Sequence, residues 1–190
     1  MQTTKNRSSK IVHARFAHPA HNVVALGIQP GMKIADFGSG SGAYVLSIAE
    51  ALCGSGHVYA VDIQRDLLRR TRNESQNRGF RNVEIVWGDL ERMGGSKIAD
   101  GALDMVLISN LLFQVMDKNV VIAEALRVLR PQGRVAIIDW SDSFGGTGPI
   151  EQDVVSKETA LALAAKAGLE LVKEFSAGAH HYGLIFCRKR

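Results

Sequence analysis

Apolar and polar positions along the chain follow two alternating rhythms. Five short apolar runs, Lys33–Phe37, His57–Val61, Val83–Trp87, Leu103–Ser109 and Arg134–Asp139, read as strands. Most are apolar at nearly every position, which predicts parallel strands covered on both faces. Helical patterns fall between them. Ala43–Leu52 follows a glycine-rich turn and stops near Gly54, and Arg65–Arg78 is mostly polar and ends at Gly79. Lys118–Leu129 starts after Asp117 and stops before Pro131, while Ser156 caps Lys157–Ala167 and Gly168 closes it. Repeated strand–helix units predict an α/β, doubly wound sheet.

The end of the chain departs from this rhythm. Leu169–Phe175 and Tyr182–Cys187 both read as strands, with only Ser176–His181 between them. That connection is too short for a parallel crossover, so it predicts an antiparallel hairpin. The expected architecture is a mostly parallel seven-stranded sheet, helices on both faces, and an antiparallel last strand.

At 190 residues the chain is expected to form one domain over 32–190, with 1–31 as an N-terminal extension carrying a lid-like helix. Its first ten residues are expected to fray. Apolar residues make up 46% and charged residues 22%, which excludes a disordered tail, a collagen-like chain and a disulfide scaffold. Cys53 and Cys187 are too few for a disulfide framework and lack metal-ligand spacing, so no metal site is expected. No apolar run reaches the ~20 residues of a membrane span. The N-terminus has no apolar core behind its charges, so a cytoplasmic protein is expected. A net charge of +4 permits nucleic-acid binding without requiring it.

The central motif is Asp36-Phe37-Gly38-Ser39-Gly40-Ser41-Gly42, between a strand end and a helix start. Glycines there allow a tight turn and close approach of a ligand to the backbone. Gly38-x-Gly40-x-x-Ala43 also satisfies the dinucleotide fingerprint, and Asp62 lies 19 residues beyond Ala43, where an acidic residue takes ribose hydroxyls. These features point to an adenosine-type ligand and leave NAD open. Asp36 shifts the balance, because a carboxylate in a site of low dielectric suits a cationic ligand and repels a pyrophosphate. A third strand then ends in Trp87-Gly88-Asp89-Leu90 and a fourth in Ser109-Asn110.

With these motifs in this order, and the terminal hairpin, the chain resembles class I S-adenosylmethionine-dependent methyltransferases from about Met32 to Arg188. Within them it is similar to the small ubiquinone/menaquinone-biosynthesis type. The resemblance implies a Rossmann-like methyltransferase fold and S-adenosylmethionine as cofactor. It places Asp36, Gly38, Ser39, Gly40 and Gly42 against the methionyl part. It gives Asp62 the ribose hydroxyls, Ile63 and Leu90 the adenine ring, and Asp89 the adenine amino group. Ser109 and Asn110 fall near the methionyl end.

Methyl transfer from a sulfonium needs orientation, exclusion of water and sometimes a base. Ligands bind outside the carboxyl ends of parallel strands. Asp142, His181 and Tyr182, from segments after the fifth strand and in the terminal hairpin, are therefore the candidates for a base or acceptor contact. Trp140 reads equally as core or substrate wall. His18 and His21 could line the cofactor cleft or sit on a structural helix, and Gly145–Pro149 reads as a loop on the same rim.

Ser109-Asn110-Leu111-Leu112 lacks the proline-rich signature of one amino-methylating branch, and neither cysteine fits cytosine-C5 chemistry; arsenic-type methylation, which uses several cysteines, is disfavoured. The arginines of Arg65–Arg81 read as a solvated helix face with pairs Asp66–Arg70 and Glu74–Arg78. A small molecule or a protein side chain is the expected acceptor. RNA methylation, an NAD-dependent oxidoreductase and a cofactor-binding protein without catalysis stay open as alternatives.

Overall fold

The computed structural model describes residues 17–146 and 148–189. The predicted fraying of the first ten residues, and Arg15 and Phe16 of the segment before the sheet, lie outside these residues, as does Thr147 of the rim loop.

Seven strands form one sheet: β1 (Lys33–Phe37), β2 (His57–Asp62), β3 (Val83–Trp87), β4 (Leu103–Ser109), β5 (Leu129–Trp140), β6 (Leu169–Gly178) and β7 (His181–Arg188). Their order is β3-β2-β1-β4-β5-β7-β6. The pairs β1–β2, β1–β4, β2–β3 and β4–β5 are parallel, and β7 runs antiparallel to both β5 and β6. The central strands are buried along nearly their whole length, as parallel strands between two helix layers must be.

The helices are α1 (Pro19–Leu26), α2 (Ala43–Ala51), α3 (Arg65–Asn77), α4 (Lys118–Val128) and α5 (Lys157–Lys166). One core layer joins the sheet to α4 and α5 through Val121, Ile122, Ala125 and Ala160. The other joins it to α1, α2 and α3 through Leu26, Val45, Ile48 and Leu68. Helix starts follow the predicted caps: the Asp117 carboxylate accepts from the Asn119 amide at 2.9 Å, and the Ser156 hydroxyl from the Thr159 amide at 3.2 Å.

Three local expectations need correction. β5 starts at Leu129, not Arg134, because Leu129 pairs with Leu103 before a register shift carries the strand on to the Met105–Arg134 pair. The hairpin is tighter than predicted: Gly178 pairs with His181, so only Ala179 and His180 form the turn. Its β6 arm reaches Gly178 because irregularities at Leu171/Lys173 and Ser176/Gly178 let the edge strand bend and continue. On α3, Arg78 pairs with Glu74 at 2.7 Å as expected, but Asp66 pairs with Arg69 at 3.0 Å.

Candidate active site

The strand order reverses between β1 and β4, and in open α/β sheets the crevice at the carboxyl ends beside such a reversal binds ligands. The glycine loop lies there. The Gly38 and Ser39 amides donate to the Val61 carbonyl at 2.9 and 3.1 Å, and Gly42 donates to Ser39 at 2.9 Å. The Thr71 hydroxyl donates to the Gly40 carbonyl at 3.2 Å. A Cβ on Gly38 would lie 2.8 Å from Leu111, and one on Gly42 2.6 Å from Thr71. Both glycines have positive φ, so other side chains are excluded twice over. A Cβ on Gly40 would meet nothing within 4 Å, because that position faces the open groove.

Asp62 is the junction between loop and groove. One carboxylate oxygen accepts from the Gly40 amide at 2.8 Å and the other from the Gln64 amide at 2.8 Å. The carboxylate is thereby held in one orientation with lone pairs left for hydroxyl donors. The amides of Gly38, Ser39, Gly40 and Gly42 are all engaged inside the protein, which leaves this turn few donors for a pyrophosphate.

A groove of about 340 Å³ follows from the loop. Asp62, Ile63, Asp89 and Leu90 line it, as the sequence predicts. Ile63 is 56% exposed, an apolar side chain presented to a ligand face. Asp89 accepts from the Glu91 amide at 3.1 Å and pairs with the exposed Arg92 at 3.0 Å. Gln64, Leu67, Leu111, Gln114 and Val115 also line the groove and were not predicted. Gln64 adjoins Asp62 and was within reach of sequence reasoning. Leu111, Gln114 and Val115 follow β4, and no local pattern marks them as groove residues.

A buried clamp steadies the segment behind Asp89. Glu124 of α4 is fully buried and accepts from the Gly94 and Ser96 amides and from Arg127. Burial alone would raise its pKa, but these donors outweigh it and hold the carboxyl near 2. Arg127 also pairs with Asp100 and donates to the Ile98 carbonyl at 2.8 Å.

Asp36 ends up one strand from Asp62 and is 1% exposed. Neither of its carboxylate oxygens has a hydrogen-bond partner. Burial pushes its pKa up to about 8, and the charge of Asp62 adds to the rise. A carboxylate in this position favours a cationic ligand group that would neutralise it. Ser39 and Asn110 each contribute a further buried oxygen without a partner. Asn110 has φ 50°, and its amide crosses to the Ile138 carbonyl of β5 at 2.9 Å, which turns the chain at the end of β4. Ser109, just before it, is buried.

The three acid–base candidates are not brought together as one cluster. His181 pairs with Trp140 across β5–β7, and their rings lie 4.3 Å apart. It is 4% exposed, and neither ring nitrogen has a hydrogen-bond partner. Tyr182, next in the strand, points to the opposite face and donates to the Val155 carbonyl at 2.9 Å. Burial raises its pKa. Asp142 is half-exposed and pairs with His180 at 2.7 Å, and Phe144 stacks on the His180 ring at 4.0 Å. Trp140 is buried, and a Cβ on Gly148 would lie 2.4 Å from its indole, so the rim loop rests on Trp140. His18, just before α1, and His21 on it stack on each other at 4.4 Å. The same helix sends Asn22 inward, where it donates to the Tyr44 hydroxyl at 2.8 Å and the Ala177 carbonyl at 3.0 Å.

A doubly wound sheet with a reversed β7, a glycine loop with few free amides and a buried carboxyl at the end of β1 are the features of the class I S-adenosylmethionine-dependent methyltransferase fold. Residues 28–182 match a family described as a methyltransferase domain, and the chain belongs to that family, with S-adenosylmethionine as its cofactor. A demethylmenaquinone methyltransferase of Anoxybacillus flavithermus is 31% identical over 116 residues, covering 61% of this chain and 48% of that protein. An arsenite methyltransferase of Halobacterium salinarum is 31% identical over 125 residues, covering 66% of this chain and 30% of that protein. The matched part of the chain thus spans less than half the length of either relative. The crystal structure of a SAM dependent methyltransferase from Aquifex aeolicus has the same fold, with TM-score 0.80, 23% identity and 88% of each chain covered.

Proposed function

We propose that the protein transfers the methyl group of S-adenosylmethionine to a small-molecule acceptor bound at the rim formed by β4, β5 and β7. One observation carries the reading. Among the described residues, the buried side-chain polar atoms without a hydrogen-bond partner belong to Asp36, Ser39, Asn110 and His181. All four stand at the carboxyl edge of the parallel strands, from β1 across to β7. Folded proteins pair nearly all their buried polar atoms, so four unpaired groups along one edge point to a ligand there.

When bound, the cofactor supplies a methyl group already activated by positive sulfur. The chain's own residues hold and orient it. Asp36 and Asn110 receive the ammonium end, and Gly38, Ser39, Gly40, Gly42 and Ser109 shape the space around the methionyl chain. Asp62 would accept from the ribose hydroxyls, Ile63 and Leu90 would pack against the adenine ring, and Asp89 would accept from its amino group. Among the described residues no helix is long and apolar enough to cross a membrane.

The two curated relatives carry names that refer to unrelated acceptors, menaquinone precursors and arsenite, so the acceptor must be read from the rim itself. Two of the α3 arginines are in ion pairs on their own helix, and Arg65 lies over the Trp87 ring at 4.2 Å. This favours a small acceptor over RNA. Calorimetric titration with S-adenosylmethionine, S-adenosylhomocysteine and NADH tests the reading. Micromolar binding of the first two and none of NADH is expected. Binding of NADH alone would replace methyl transfer by dinucleotide chemistry.

A further inference from the structure

Cofactor binding as described leaves the buried His181 without a task. His181 opens β7 beside Trp140, the last residue of β5. We infer that His181 is the general base of the reaction and that the acceptor attacks through an uncharged hydroxyl group. This inference rests on the methyl-transfer reading above.

Position comes first. β7 lies next to β5, and β5 next to β4, so His181 stands two strands from Asn110. Two inter-strand spacings are about 10 Å, so an acceptor held at the methionyl end lies within a small molecule's length of the imidazole. Trp140 holds the ring from one side at 4.3 Å. Both nitrogens remain without hydrogen-bond partners, so the ring can accept from an acceptor group or donate to it.

Charge comes second. Burial draws the pKa of His181 down to about 4; His180 acts in the same direction and Asp142 against it. At neutral pH the imidazole is a free base. Tyr182, Lys157, Glu158 and Glu174 also line the cleft around it, with Lys157 and Glu174 paired at 2.8 Å. A cationic amine would put a second positive charge beside the sulfonium in a dry site, and a carboxylate acceptor would need no base. Of these three acceptors, the hydroxyl is the one that needs a base to take its proton.

The step balances. The hydroxyl O–H bond breaks and its proton passes to a ring nitrogen of His181. The oxygen electron pair forms the O–CH3 bond, and the CH3–S bond breaks with its pair left on sulfur. Positive charge leaves sulfur as it arrives on imidazole, so the net charge of the closed site stays constant. The competing bases are already committed: the Tyr182 hydroxyl donates to Val155, Asp142 is tied to His180, and Asp139 accepts from the Leu112 and Trp140 amides.

The test uses the full chain labelled with 15N in histidine. Calorimetry first establishes the S-adenosylhomocysteine complex; failure there overturns the cofactor reading, and this inference with it. Phenol and its ether anisole are then titrated separately into that complex, and the ring nitrogens of His181 are followed by NMR. Phenol should move the His181 signals and anisole should not, since only phenol has a proton to give. His181→Gln should weaken phenol binding at least fivefold and leave S-adenosylhomocysteine affinity within twofold. Equal response to both probes, no response to either, or unchanged phenol binding in the variant overturns the assignment while the cofactor reading stands.

Discussion

The cofactor groove and the acceptor rim share one edge of one sheet, but they are assembled differently. On the cofactor side, each polar group sits at or just past the end of its own strand: Asp62 on β2 and Asp89 after β3 line the groove, and Asp36 on β1 and Asn110 after β4 stand beside it. Short-range backbone bonds then orient it, as the Gly40 and Gln64 amides orient Asp62. On the rim, position comes from distant pairing: Trp140 meets His181 across β5–β7, and Asp142 meets His180. The groove is therefore a preorganised binding surface, and the rim is a joint between segments some 40 residues apart whose geometry depends on the hairpin closing correctly.

Substitutions should separate the two halves, and the largest effect is expected in the groove. Asp62→Ala removes the acceptor for two backbone amides and for the ribose hydroxyls together. Affinity for S-adenosylhomocysteine should fall by about 1.5–3 kcal/mol, the scale of hydrogen bonds to a charged group. Calorimetry on the folded variant checks this, and unchanged affinity would remove Asp62 from the site.

Each half also contains one buried carboxyl with a raised pKa, and this gives a pH dependence. Asp36 is raised to about 8 by burial and by Asp62. Asp139 is raised to about 7 by burial, against the opposing effect of the Trp140 and Leu112 amides that donate to it. Each keeps its proton in the fold and releases it on unfolding near the ordinary value of 3.8. Their contribution to stability is therefore complete below about pH 4, declines as pH rises through 7 to 8, and then levels off. Urea unfolding of the free protein between pH 5 and 8.5 should show that decline, and Asp36→Asn should flatten its upper part. Cofactor binding should release a proton near neutral pH, measured by calorimetry in buffers of different ionisation enthalpy. A stability profile that does not change with Asp36→Asn would mean that the carboxyl is ionised in the free protein.

The smallest effect is expected on the rim. Gly148→Ala places a Cβ against Trp140 at a residue with φ 79°. The loop should lift and expose the indole, with a loss of global stability near 1 kcal/mol for a strained backbone position. Tryptophan emission should shift to the red while S-adenosylhomocysteine affinity stays within twofold. A variant with weakened cofactor binding would show that the rim loop also braces the groove.

Much of this molecule was written locally. Strand and helix periods, the caps at Asp117 and Ser156, and the glycine loop depend on neighbours within a few residues, so they were legible one segment at a time. The groove carboxylates were legible for the same reason, since a residue at a strand end needs only that strand in order to be placed. Other features depend on partners far along the chain. Leu111 packs under Gly38, Glu124 gathers the amides of residues 94 and 96, and β5 begins early because Leu129 finds Leu103. The tight hairpin carried His181 off the surface and into a buried strand against Trp140, while Tyr182 turned to the other face. Burial and orphaned hydrogen-bonding atoms are properties of packing, because they measure what surrounds a side chain. Sequence by itself determined which residues stand at the ends of the strands; tertiary structure decided which of them are left dry and unpaired.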